Sequence, residues 1–379
     1  MKNPLRTPHV DKLVRIVAKV SFSFLIAVVA VVLAPVHAHA TPRNDRTNNA
    51  LEEEIEPQHY ANNPDVDAFI ADLVARDGFD GTALKRLFSQ VDYSQTAARL
   101  VAPPPIPAPK NWTAYQSRMV DSIRINDGVQ FWQDNDAALK RASNQFGVPA
   151  SIIVAIIGVE TVYGRHMGNF RTIDALTTLA FDYPQTKNRD DRMTMFRKQL
   201  ENFLIWTRER NVDPLSVYGS YAGAIGIPQF MPTSLINYAI DYDGDGKIDL
   251  AHSAADAIGS VGNFLMQHGW ERDRPVIWHI GSDPGSQGLA QAGADGQANP
   301  HWTLGNFLKA GIEMNEPGLN LAAQSNTPVL VVDLPTPDQP TQYFLGLQNF
   351  YVLTRYNRSF FYAMAVYDLA QAIKAAKAP

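Results

Sequence analysis

The sequence predicts a mainly α (α+β) fold, and three observations carry that reading. Apolar residues recur at helical spacing from Trp112 to about Leu265, and again from Ser359 to Lys377. Short β-rich runs (Val276–Ile280, Val329–Leu334, Tyr343–Leu347) are confined to one stretch among Gly, Pro, Asp and Gln. The composition, 45% apolar and 19% charged over 379 residues, is that of a globular chain with ample material for a core, and the length suits two or three compact units. With 33 basic against 38 acidic residues, nothing marks a nucleic-acid binder. The absence of cysteine excludes disulfides, a Cys-based zinc site, a thiol nucleophile and a lipid-modified N-terminal cysteine.

The elements follow in chain order. Lys2, Arg6, Lys12, Arg15 and Lys19 lead into an apolar run from Phe22 to Leu33, and Ala38-His39-Ala40 supplies a small-x-small cleavage pattern. Residues 1–40 therefore read as a cleavable export signal, and the chain as a soluble periplasmic protein. An uncleaved anchor is disfavoured, because the apolar stretch to Val36 falls short of the ~20 residues that span a bilayer. Removing the segment, which holds five bases and one acid, takes the net charge from −5 to −9. Residues 41–109 read as a polar leader, an N-terminal helical segment and a Pro-rich connector. In that segment one helix opens at Pro64-Asp65 with Val66, Phe69, Ile70, Leu73 and Val74 on a face, and a second runs from Thr82 to Ser89. Pro103, Pro104, Pro105, Pro107 and Pro109 stiffen the connector. Residues 110–274 form the helical core, 275–346 a small β-containing domain, and 347–379 a C-terminal segment and helix.

Within the core, Val148-Pro149 introduces the run Ala150 to Gly164, apolar nearly all round and hence a buried helix, with proline in its first turn and Gly164 as its stop. Glu160 follows Ile156, Ile153 and Ile152 along one row of that helix. Burial disfavours a charged carboxylate and raises its pKa, which makes Glu160 a proton donor near neutral pH. The bland alternative is a last-turn Glu that reaches water or pairs with Arg165. Further on, Gly219-Ser220-Tyr221-Ala222-Gly223-Ala224-Ile225-Gly226-Ile227-Pro228-Gln229-Phe230-Met231-Pro232 sets hydroxyl and amide groups beside aromatic and thioether surface. That mixture suits a saccharide cleft; taken alone, it would equally serve as a glycine-rich helix-packing segment. No Gly-Lys-Ser/Thr follows, so it is no phosphate loop.

These stretches together carry a resemblance. Ile157-Gly158-Val159-Glu160-Thr161 with Tyr163-Gly164, the loop from Gly219 to Pro232, Thr172 to Leu179, Asp256 to Ser260, and Thr354-Arg355-Tyr356-Asn357 with Tyr362 to Val366 resemble the lytic murein transglycosylase B family (glycoside hydrolase family 103). The likeness runs from about Asn111 to the C-terminus. It implies a lysozyme-like helical catalytic core that cuts the β-1,4 bond between N-acetylmuramic acid and N-acetylglucosamine, leaving 1,6-anhydromuramoyl ends. By the match Glu160 is the single catalytic acid/base. Ser220 hydrogen-bonds near it, and Gln229, Phe230, Met231, Tyr356, Asn357 and Tyr362 line the cleft, with Tyr115 as a saccharide platform. Asp174 is expected to cap or brace a helix and not to act as a nucleophile. After Tyr183-Pro184 the family carries adjacent arginines; here stand Gln185 to Arg192, so outer-subsite preference is open. Peptidoglycan glycan strands are the implied partner, with cell-wall synthesis or division proteins as further candidates, a monomeric state and no organic cofactor. The rival readings are a muramidase that hydrolyses the same bond and a non-catalytic, calcium-stabilised wall-binding protein.

Asp241-Tyr242-Asp243-Gly244-Asp245-Gly246-Lys247-Ile248-Asp249 matches the first nine positions of an EF-hand loop. Asp241, Asp243, Asp245, the Lys247 carbonyl and Asp256 are the expected Ca²⁺ ligands, in a structural role. Position 12 is His252 in place of the usual Glu, and Asp256 closes a lengthened loop. The alternative is an acidic Asx-turn loop without metal.

Overall fold

The computed structural model describes residues 60–377 apart from residue 105. The export signal expected over 1–40 and the leader up to residue 59 lie outside the described residues. The chain enters through α1 (Pro64–Asp77), α2 (Gly81–Phe88) and α3 (Gln95–Val101), then crosses the exposed proline connector to α4 (Trp112–Met119), α5 (Ser122–Asp134), α6 (Asp136–Phe146) and α7 (Ala150–Thr161). Next come β1 (Phe170–Arg171), α8 (Thr172–Phe181), α9 (Arg189–Glu209), β2 (Tyr218–Gly219), α10 (Pro232–Tyr238) and α11 (Ala254–Gln267). The small sheet unit holds β3 (Ile277–His279), α12 (Pro284–Gly293), β4 (Trp302–Thr303), α13 (Leu304–Ala310), β5 (Pro328–Thr336) and β6 (Gln339–Gly346). α14 (Gln348–Tyr356) and α15 (Phe360–Lys377) return to the helical body. No single helix among the described residues is long and apolar enough to cross a membrane.

The local chemistry explains these boundaries. Asn63 caps α1 by accepting the Asp65 and Val66 N–H groups, and Gly78 ends it at φ 67°. Asp80 caps α2 in the same way, which starts that helix one residue earlier than its apolar pattern alone suggests. α1 turns Val66, Ile70 and Leu73 inward, and Phe69 meets Phe181 of α8 edge-on with ring centroids 5.7 Å apart.

α7 is the centre of the helical body. Every residue from Ser151 to Val159 is buried, and α5, α6, α11 and α15 pack around it. Ile153, Val154, Ile156 and Ile157 are wholly buried, each worth about 1.5–3 kcal/mol relative to exposure. The sheet runs β3-β6-β5-β4, antiparallel throughout. Its strand β5 alternates between two cores. Leu330, Val332 and Leu334 join the helical core, while Val329 and Val331 join a smaller cluster with Trp278, Leu304, Phe307 and Leu345.

Candidate active site

α7 ends sooner than its sequence suggests. The helix stops at Thr161, and Val162, Tyr163 and Gly164 follow at φ 50°, 60° and 88°. Three successive left-handed residues are unusual, and Val and Tyr there cost on the order of 1–3 kcal/mol each. The surroundings hold the turn in place. The buried Thr161 Oγ1 donates to the Ile227 carbonyl (2.8 Å) and accepts the Gly164 N–H (2.9 Å). The Val162 N–H reaches the Gly158 carbonyl (3.1 Å), and the Tyr163 hydroxyl donates to the Arg124 carbonyl (2.7 Å).

Glu160, half-buried, is the penultimate residue of α7. The Tyr362 hydroxyl donates to its Oε1 at 2.6 Å. Burial pushes the carboxyl up to about 7, with the Tyr362 hydrogen bond pulling the other way. The isoleucines of its own helix row sit in the core, and three tyrosines, Tyr115, Tyr356 and Tyr362, stand close enough to feel the carboxyl's charge. Tyr362 and Tyr356 stack nearly parallel, 6.3 Å apart at 12°. Both hydroxyls are raised well above 10, by burial first and then by the charge of Glu160. Burial and the same charge raise Tyr115 to about 12. All three phenols stay protonated, and the Tyr362 proton is the one aimed at the carboxyl. Arg165 pairs with Asp127, so the counterion that the bland reading offered Glu160 is engaged elsewhere.

The other acids nearby are committed to structure. Asp174 takes a two-pronged contact from Arg171 (2.7 and 2.8 Å) and accepts the Asp92 N–H, bracing the start of α8 as expected. Asp182 accepts the Tyr60 hydroxyl at 2.9 Å.

The glycine-rich loop brings some of the expected groups to the cleft and withholds others. Ser220 Oγ accepts the Ala224 N–H (3.0 Å) and so closes the loop's own turn; no bond from it to Glu160 is described. Gln229, at φ 51°, commits Nε2 to the carbonyls of Met167 and Gly226, which leaves Oε1 as an acceptor. Phe230 departs from expectation. At 2% exposure it packs inward, against Phe264 and Tyr356. An aromatic in a glycine loop fills the space that the missing side chains leave, so it turns inward. Met231 is half-buried at the start of α10. The Tyr356 hydroxyl donates to the Pro228 carbonyl (2.5 Å), joining the C-terminal segment to this loop. Asn357 follows at the end of α14. Tyr115 rests on Trp112 and Phe361. The sequence reading missed Arg124, whose Nε donates to the Gly158 carbonyl (3.2 Å). No local pattern marks it, since its partner lies 34 positions away.

In the acidic loop Asp241, Asp243 and Asp256 bring carboxylate oxygens within 4.8 Å of one another. Asp245, expected among the ligands, stands outside this group and accepts the Lys247 N–H (2.8 Å). Asp256 is buried and accepts the N–H groups of Tyr242, Asp243 and Asp249. His252, at position 12, pairs with Asp249. Hard oxygen donors crowded this closely fit a cation such as Ca²⁺. Beyond the loop, the Leu250 carbonyl accepts the Ile227 N–H (2.8 Å), so the loop backs the turn that Thr161 grips from its other side.

Comparison with known proteins agrees with this geometry. The Transglycosylase SLT domain family matches residues 61–371. The chain is 38% identical over 340 residues to membrane-bound lytic murein transglycosylase B of Escherichia coli (strain K12), covering 85% of this chain and 88% of that protein. The crystal structure of soluble lytic transglycosylase SltB1 from Pseudomonas aeruginosa superposes with TM-score 0.74 at 40% identity, covering 83% of this chain and 99% of that one. The Escherichia coli lytic transglycosylase Slt35 in complex with calcium does so with TM-score 0.70 at 37% identity, covering 85% and 99%. With a lysozyme-like helical body, one carboxyl under tyrosines and likeness along most of its length, the chain belongs to the lytic murein transglycosylase family.

Proposed function

We propose that the protein cleaves the β-1,4 bond between N-acetylmuramic acid and N-acetylglucosamine in peptidoglycan, with Glu160 as its single acid/base. The observation that carries this reading is the Glu160 carboxyl, raised to about 7 by burial and held by Tyr362 at 2.6 Å. Glu160 gives its proton to the glycosidic oxygen as the C1–O bond breaks. The 2-acetamido oxygen stabilises the anomeric carbon, which removes the need for a second carboxylate. Glu160, now a carboxylate, takes the proton of the C6 hydroxyl as O6 bonds to C1. The acid is regenerated and no water is consumed. Tyr362, protonated and already donating to Oε1, stabilises the carboxylate between the two steps. Gln229 Oε1, Met231, Asn357 and Tyr115 supply contacts to the sugars, and Ser220 and Phe230 shape the wall from behind.

The test is murein digestion with the purified mature chain. Glu160→Gln abolishes solubilisation, and the parent's products carry anhydro ends that resist borohydride reduction. Reducible ends would identify a hydrolase instead. Unchanged lysis by Glu160→Gln would reject Glu160 as the acid, and binding without lysis by the parent would leave a wall-binding protein.

We also infer that Asp241, Asp243 and Asp256, with the Lys247 carbonyl, hold a structural Ca²⁺. Bound there, the ion would neutralise clustered carboxylates and tether the loop; it enters no step at the sugar. EDTA should lower the melting temperature of the parent and leave that of Asp241→Ala unmoved. An equal response from both would refute the site. Export through residues 1–40 and action in the periplasm complete the reading.

A further inference from the structure

The turn after Glu160 is held partly by α5. Arg124 of α5 is buried at 7% exposure. Its Nε donates to the Gly158 carbonyl (3.2 Å), its Nη1 to the Arg118 carbonyl (2.9 Å), and the Asp121 carboxylate pairs with it. The carbonyl of the same residue accepts the Tyr163 hydroxyl at 2.7 Å. That hydroxyl occupies a slot made by two glycines. A Cβ on Gly158 would lie 2.5 Å from it, and one on Gly128 of α5 would lie 2.4 Å from it. Phe131 backs the Tyr163 ring at 5.3 Å. The Tyr163 N–H closes the circuit on the Ile157 carbonyl (3.4 Å).

Gly158 stands two residues before Glu160 and Tyr163 three after it, so the circuit brackets the acid. α5 also packs along α15, the helix that carries Tyr362. One element therefore references both partners of the 2.6 Å bond. Because Asp121 neutralises the guanidinium, the brace adds directional bonds without bringing a net charge toward Glu160. The causes of the Glu160 shift accordingly include burial and Tyr362 and no arginine.

We propose that Tyr163, acting through Arg124 and the glycine slot, is a positioning residue that keeps Glu160 in register with Tyr362 during proton transfer. This rests on the reading of Glu160 as the acid. Thr161 holds the strained, left-handed turn from one side and this brace from the other, and an acid displaced by a fraction of an ångström from its donor and its substrate loses rate more than affinity.

The experiment compares Tyr163→Phe, Gly128→Ala and the double variant with the parent on purified murein, well below their melting temperatures. Tyr163→Phe keeps the ring and removes only the hydroxyl, so it is the variant expected to fold. Its kcat should fall roughly tenfold while KM stays within about twofold. The alkaline limb of its pH profile should move upward as the Tyr362 bond loosens. Gly128→Ala pushes on the same hydroxyl from α5 and also on Ile373 of α15, so it should lose at least as much, and the double variant no more than Gly128→Ala alone. Parental kcat and pH limb in a folded Tyr163→Phe, or additive losses in the double variant, would overturn the brace. Glu160→Gln in the same assay separates the two readings. If it is inactive while Tyr163→Phe is parental, the brace alone fails. If it remains active, the acid assignment fails and the brace with it.

Discussion

Tyr362→Phe tests the electrostatics of the site most directly. The substitution deletes one hydrogen bond, 2.6 Å long, from a neutral hydroxyl to a half-buried carboxyl. A bond to a charged group is worth about 1.5–3 kcal/mol. Near the lower end, about 1.4 kcal/mol of it separates the charged from the neutral carboxyl, which is about one pKa unit. The hydroxyl favours the carboxylate, so its loss raises the pKa of Glu160, and the alkaline limb moves from about 7 to about 8. The same bond stabilises the carboxylate formed on proton transfer, so the low-pH plateau falls roughly tenfold. At pH 8 the parent keeps about one tenth of its acid protonated and the variant about half. The deficit should therefore shrink from about tenfold at pH 5 to about twofold at pH 8. The assay is kcat/KM for release of anhydro-muropeptides from pH 4.5 to 9. A deficit constant across that range, or a limb that moves down, would refute the reasoning.

Two further outcomes concern stability. Glu160 has its folded pKa raised from 4.5 to about 7, so the folded state binds more protons than the unfolded chain between those values, and stability falls as pH rises through that window. Glu160→Gln removes the penalty and should be more stable than the parent at pH 8, by about 3 kcal/mol in urea unfolding, with no gain at pH 4. An unchanged difference at the two pH values would contradict the shift. Thr161→Val keeps the shape of a wholly buried side chain but removes its bonds to the Ile227 carbonyl and the Gly164 N–H. It should cost about 1–3 kcal/mol by the same measurement, and a loss below a few tenths would show that the turn holds without it.

The helical body was legible because burial writes its own period. α7 is apolar on all sides and α1 on one, and both were read from spacing alone. β5 and β6 were legible as short β-rich runs, although β6 begins at Gln339, in the turn-forming stretch before its apolar residues. β4 was missed, since two residues hold no period. At the site, Glu160 could be read as an acid in the wrong surroundings, but its surroundings could not. Tyr356 and Tyr362 come from the far end of the chain and were expected there only through motif likeness. The sequence puts the end of α7 at Gly164, where glycine would ordinarily stop a helix. The break at Val162 and Tyr163 runs against the preferences of both residues, and long-range partners such as Arg124 and Ile227 impose it. Asp245 matched the loop pattern, yet the folded backbone turns it toward the Lys247 N–H instead of the other acids.

The double-sided burial of β5 ties the two hydrophobic clusters into one cooperative unit. Excising residues 275–346 would pull Leu330, Val332 and Leu334 out of the helical core and bare the side chains they cover there, while Val329 and Val331 would leave together with their own cluster. The helical body and the sheet therefore share a wall, and a single thermal transition is the expected outcome for the two.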